Sequence, residues 1–146
     1  MDQFRLYHNF FARIEKEKFT ILPMFDLGFQ KDTLNSFKNW FSYGISIKYQ
    51  LPKSMAIAAR YEHMNDPHNI IPEINAHTPH GFIQSGYTLT YEIRPAKLIL
   101  IRIEARYTNV TDPVFTTATN HLSKSDFFLL GAFCVTLNSE KMNQSK

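Results

Sequence analysis

Along most of this chain apolar and polar residues alternate one by one, and that periodicity restricts the fold more than any other feature. Successive side chains on a strand point to opposite faces, whereas a helix repeats every 3.6 residues, so sustained alternation excludes an amphipathic helix. In KLILIRIEARYT, Ile99, Ile101, Ile103, Ala105 and Tyr107 fall on one face; Arg102, Glu104, Arg106 and Thr108 fall on the other. The segment before it sets Ile83, Tyr87, Leu89, Tyr91 and Ile93 against Gln84, Gly86, Thr88, Thr90 and Glu92. Further upstream, Tyr43, Ile45, Ile47 and Tyr49 oppose Ser42, Gly44, Ser46 and Lys48, and Ile57, Ala59 and Tyr61 oppose Ala58, Arg60 and Glu62. Seven strands are expected, at about 4–14, 19–30, 40–50, 54–64, 82–93, 97–108 and 126–137. Pro23 removes a ladder donor inside the second and predicts a bulge there. The first is the least regular, with Arg5, Asn9 and Arg13 facing away from Leu6, Phe10 and Ile14.

The connections alternate in length. Glu15 to Lys18, Leu51 to Lys53 and Arg94 to Ala96 read as tight turns, while Lys31 to Asn39, Asn65 to Gly81 and Asn109 to Ser125 read as long polar loops at the opposite end. Two strand ends repeat one another. ARYEHMNDP, from Ala59 to Pro67, and ARYTNVTDP, from Ala105 to Pro113, both run from Ala-Arg-Tyr into an Asp-Pro turn. The fold class is therefore all-β, an antiparallel up-and-down meander over residues 1–137, followed by a polar tail at 138–146.

Composition narrows the function classes. With 146 residues and 44% hydrophobic content the chain has the size of one domain and is not disordered. Its net charge of +3 arises from basic residues spread along the chain, which does not indicate nucleic acid. A single cysteine, Cys134, excludes an internal disulfide and a cysteine-based zinc cluster; it falls on the polar side of the last strand, as a small packing residue. No apolar run approaches the roughly eighteen residues of a membrane-spanning helix.

Alternation alone leaves open which face meets what. In a soluble barrel the apolar set points inward; in an outer-membrane barrel it points to lipid. From the second strand onward the apolar set contains no Asp, Glu, Lys or Arg. It is also bulky, and a small closed barrel has room inside only for its own side chains. Tyrosines gather near strand ends: Tyr49 and Tyr91 beside the tight turns, Tyr43, Tyr61, Tyr87 and Tyr107 toward the long loops. Amphipathic rings of this kind form girdles at membrane–water interfaces. Ile99 to Tyr107 covers about 26 Å at about 3.3 Å per residue, enough to cross an apolar band about 25 Å tall. The facing favoured is thus a lipid-exposed apolar set, with tight turns on the periplasmic side and long loops outside.

Three stretches carry a family resemblance. GISIKYQLPKSMAIAARYEHMNDP, GYTLTYEIRPAKLILIRIEARYTNVTDPVF and FFLLGAFCVTL together resemble the C-terminal part of the outer-membrane β-barrel porins of Gram-negative bacteria, over about residues 40–137. The resemblance implies a passive or substrate-selective channel with no catalytic residues and no cofactor. Members of that family are longer and carry a signal peptide, neither of which is visible here. Single-chain bacterial barrels have an even strand number with both termini in the periplasm. Seven strands are thus expected to be the C-terminal part of a larger barrel, located in the outer membrane.

Lys48, Arg60, Glu62, Glu92, Arg102, Glu104 and Arg106 share the polar face and form the candidate lumen lining; the alternative is a ladder of ion pairs that stiffens the wall. The expected partners are the lipid bilayer and small polar solutes, with no nucleic acid. His63, His68, His77 and His80 lie in or beside one loop with Asp66 and Glu73, but their spacing fits no closed metal motif, so no metal is assigned. A carboxylate pair from Glu62 and Glu104 lacks any supporting motif, and no enzyme activity is assigned. Two other classes remain open at this point: a soluble lipocalin-like carrier of a hydrophobic ligand, and a structural or adhesive barrel.

Overall fold

A computed structural model describes residues 4–31, 36–71 and 78–137. Every regular element among them is a strand. In chain order these are β1 (Arg5–Phe11), β2 (Ile14–Lys16), β3 (Phe19–Lys31), β4 (Phe37–Leu51), β5 (Met55–Asp66), β6 (Phe82–Ala96), β7 (Ile99–Val110), β8 (Phe115–Thr116), β9 (Leu122–Ser123) and β10 (Ser125–Val135). The main sheet runs β1-β3-β4-β5-β6-β7-β10, with β2 also on β3, so each long strand pairs antiparallel with its sequence neighbour. This is the meander that the alternation predicts. β1 and β10 form its two edges and do not pair with each other.

Three details differ from the sequence expectation, each for a local reason. The first strand is two pieces, and Pro23 causes a break in its neighbour instead of a bulge in its own strand. Pairing runs in one unbroken register from Arg5↔Gln30 to Phe11↔Met24 and resumes at Ile14↔Ile21, and Ala12 N–H donates to Pro23 O at 3.1 Å. The missing proline donor therefore falls on the β1/β2 side, where the ladder lapses, while β3–β4 pairing through Pro23↔Ile45 stays regular. The connection expected between Lys31 and Asn39 is short, because β3 and β4 pair out to Lys31↔Phe37; residues 32–35 lie outside the described residues. The loop after β7 contains the small β8–β9 hairpin. The extra residue of the Arg94–Ala96 turn appears as a register shift between Ile93 and Ala96.

Burial is inverted relative to a soluble protein. Among the described residues the buried apolar side chains are Trp40, Ala56 and Val110, whereas Leu89 and Leu129 are 53% and 68% exposed. The enclosed side chains are polar: Thr88 is 6% exposed, Glu92 8% and Asp66 0%. The sheet curls toward its polar face, since side chains two strands apart meet there although strands are spaced about 4.8 Å.

The curl brings Trp40 onto Gly28, its cross-strand partner, with Tyr7 stacked on the indole at 5.6 Å. A Cβ at position 28 would overlap the indole, whereas one at Gly131 would meet nothing within 4 Å. Gly28→Ala should therefore destabilise the folded protein in detergent by about 1–3 kcal/mol through overpacking, and Gly131→Ala should be neutral. Trp40 is the single tryptophan, so its fluorescence during denaturation measures both, and equal midpoints would refute this packing.

Candidate functional site

The seven charged residues singled out from the sequence all sit on the enclosed face of β4 to β7, and the ladder places them in rows. Ser46, Arg60, Thr88 and Arg106 are successive cross-strand partners. The next row toward the tight turns holds Lys48, Ala58, Thr90 and Glu104, and the one beyond it Ala56, Glu92 and Arg102. Long side chains lean across these rows and bond in two groups. Glu92 accepts from Lys48, two strands away, and from Arg102 Nε at 3.0 Å. Glu62 accepts from Arg106, also two strands away, and lies 3.5 Å from Arg60 Nε. Glu104 belongs to neither group and accepts from the Thr90 hydroxyl at 3.1 Å.

Small residues make these reaches possible. The Glu62–Arg106 bridge passes over β6 at Gly86, where an added Cβ would stand 2.8 Å from Glu62 Cγ and Oε1. The Lys48–Glu92 bridge crosses β5 where its inward residues are Ala56 and Ala58. Beside that crossing is a cavity of about 260 Å³ lined by Lys48, Arg60, Thr88, Thr90, Arg102 and Glu104 among others.

A second polar cluster, on the same face of β1, β3 and β4, was not singled out in advance. Asp26 accepts from Tyr7 Oη at 2.7 Å, from Asn9 Nδ2, and from Ser42 Oγ at 2.8 Å. Asp26 itself is legible as the charged residue opposite Phe25 and Leu27. Its partners lie on the flanking strands and become visible only with the register.

The exposed face carries the six tyrosines. Tyr61, Tyr87, Tyr107 and Phe127 form one row across β5, β6, β7 and β10, with ring centroids 5.3 Å apart for Tyr61–Tyr87 and 6.4 Å for Tyr87–Tyr107. Tyr43 packs 6.2 Å from Tyr61. The row above is polar from β5 to β10, running His63, Ser85, Asn109 and Ser125, with Tyr43 beside it on β4. Toward the tight turns, Tyr49 packs on Phe19 at 4.8 Å and Tyr91 directs its hydroxyl at Met55 Sδ. Ile93, Ile101 and Phe133 continue the apolar face beyond Tyr91. Cys134 is exposed on the polar side of edge strand β10, so it does not pack into the wall as its size suggested.

An antiparallel meander that exposes its apolar face and folds its ion pairs onto the other is a stretch of membrane-type β-barrel wall. Over residues 2–137 the sequence matches the family described as Putative beta-barrel porin-2, OmpL-like. The chain belongs to that family, and with it to the porin-type barrels of the outer membrane. No curated protein and no solved structure matches the chain. The family match extends the resemblance carried by residues 40–137 to the irregular first strands.

The repeated Asp-Pro turns have distinct roles in one loop. Asp66 accepts from the backbone N–H of Ile71 at 2.8 Å and of His68 at 3.3 Å, fixing the start of the β5–β6 loop. Asp112, from the second repeat, holds the end of the same loop: it accepts from His80 N–H at 3.0 Å and from His80 Nδ1 at 2.9 Å. Between them Gly81, at φ +76°, passes so close to Pro67 that a Cβ would overlap its backbone. His63 is spent on Ser85 Oγ at 3.0 Å, and His77 and Glu73 lie outside the described residues. Among the described residues no three His, Cys, Asp or Glu side chains come together as metal ligands.

The His80 ring and then its backbone N–H hold the Asp112 carboxyl below its ordinary pKa. A carboxylate depressed on folding contributes fully above its unfolded pKa, and that contribution is lost as pH falls through the folded value. The His80 amide proton shift should accordingly titrate with a midpoint below the ordinary Asp value of about 3.9, and Asp112→Asn should abolish that titration. A midpoint at or above the ordinary value would contradict the tether.

Proposed function

We propose that the enclosed polar face lines an aqueous path through the outer membrane, and that small polar solutes cross along it passively. The observation that carries this is the inverted burial: Glu92 is buried between its cationic partners and the large apolar side chains are exposed. On this proposal Lys48, Arg60, Glu62, Glu92, Arg102, Glu104 and Arg106 face the lumen. Tyr43, Tyr61, Tyr87 and Tyr107 mark the interface on the loop side, and Tyr49 and Tyr91 lie toward the periplasmic one. A lipocalin-like carrier needs the reverse arrangement, with apolar side chains enclosed around the ligand. The family, one of porins, supports a channel without catalytic residues or a cofactor.

Lipid contact is tested by placing charge on the exposed face. Ile47→Arg or Leu89→Arg, which lie in the row between the two tyrosine levels and would each cost about 2–4 kcal/mol near the bilayer midplane, should block assembly into the membrane, and Arg102→Ile should be far milder. The assembled fraction is read from heat-modifiable migration on gels; normal assembly of Leu89→Arg would reverse the facing.

Conduction is tested in planar bilayers, where a structural or adhesive barrel would pass no current. Changing Arg60, Arg102 and Arg106 together to Ser should shift the reversal potential toward cations, and changing Glu62, Glu92 and Glu104 together to Gln should shift it toward anions. Both shifts should be largest at low salt, where screening is weakest. Unchanged potentials in both variants would remove these residues from the conducting path.

A further inference from the structure

The charges on the enclosed face are not equally available, and the difference singles out one residue. Glu92 is saturated by Lys48 and Arg102, which in turn are committed to it. Glu62 is committed to Arg106. Arg60 has the weakest partners of the four cations. Its Nη2 lies 3.5 Å from the Thr88 hydroxyl, and its Nε is buried, 3.5 Å from a Glu62 oxygen without forming a hydrogen bond. A buried guanidinium N–H left without a hydrogen bond is costly, and an anion that reaches it removes that cost.

Space and charge agree. The cavity of about 260 Å³ opens beside Arg60 because its strand neighbour on the same face is Ala58, and the hydroxyls of Ser46, Thr88 and Thr90 line it. It is lined by three cations (Lys48, Arg60 and Arg102) and two carboxylates (Glu92 and Glu104). Glu104 accepts from Thr90, in the row next to that of Arg60. The surplus is one positive charge, and Arg60 is where it is least neutralised.

We infer that Arg60 and the hydroxyls beside it form a binding subsite for small organic anions bearing a carboxylate. The inference rests on the enclosed face being the solute path. In the subsite the carboxylate accepts from the guanidinium, while Ser46, Thr88 and Thr90 take up hydroxyl or water contacts. Arg102 and Arg106 set the field and hold the carboxylates away from Arg60. Arg106 is a positioning residue in this scheme: without it, Glu62 is released to close on Arg60.

Acetate is the probe, in two measurements on the detergent-folded protein and on channels in bilayers. Saturation-transfer NMR on the acetate methyl group should detect binding, and methylammonium of similar size should give none. Arg60→Gln should weaken acetate binding about tenfold, the scale of one charge-assisted hydrogen bond. Arg5→Gln should leave it within about twofold, because Arg5 is paired with Gln30 on β3, outside the cavity lining. Arg106→Gln should weaken it, and the Glu62→Gln, Arg106→Gln double variant should restore it. That rescue separates a positioning role from general damage to the fold. Equal effects of Arg60→Gln and Arg5→Gln, or acetate binding that survives Arg60→Gln, would overturn the subsite while leaving a conducting channel in place. Arg60-dependent acetate binding by a protein that passes no current would uphold the subsite and defeat the channel.

Discussion

A peptide group in hydrocarbon has no water to bond to, and in a strand its only possible partner is the next strand. That requirement fixes the plan of this sheet. β3 through β7 and β10 pair residue against residue over almost their whole lengths, with one register irregularity at the Ile93–Ala96 turn. Once the ladder is set, the side of every side chain is set too, because the alternation leaves no freedom. The exposed tyrosine row and the enclosed ion pairs are two consequences of one register. Where the ladder loses a donor, at Pro23, the neighbouring strand divides into β1 and β2.

The polar face shows what curling a sheet demands of its inner surface. Side chains converge there, and bulky residues at every position would collide. Gly28 receives the Trp40 indole, Gly86 lets the Glu62 side chain cross β6, and Ala56 and Ala58 lie beneath the Lys48–Glu92 reach. Each pairs a small residue with a long neighbour, and the ion pairs tie together strands that share no backbone hydrogen bonds. Such pairs contribute geometric order more than net stability, since desolvating the charges offsets much of their attraction.

Period-two alternation made the strands and their facing legible, and its failures are equally physical. The run from Lys48 to Arg106 could be assigned to one face from sequence because facing depends only on parity. Which carboxylate meets which cation could not, since Glu62 reaches Arg106 only through the combined registers of β5–β6 and β6–β7. The two Asp-Pro turns were visible as a repeat, yet Asp66 caps its own loop and Asp112 captures His80 from another connection. Nothing local to either motif encodes that difference. The bulge that Pro23 predicts in its own strand appears instead as a break between β1 and β2, for a related reason: a proline's missing donor acts on the strand it faces, and sequence alone shows only the strand it occupies.

The order of the meander bears on how such a sheet comes to exist. Every long strand forms its backbone ladder with its neighbours in the meander, and the turns between β2 and β3, β4 and β5, and β6 and β7 are short. Closing each of these hairpins costs little loop entropy, so the strands can accrete one at a time without a distant contact forming first. Each strand added presents a fresh unpaired edge to the next, which makes the growing edge itself the template for assembly.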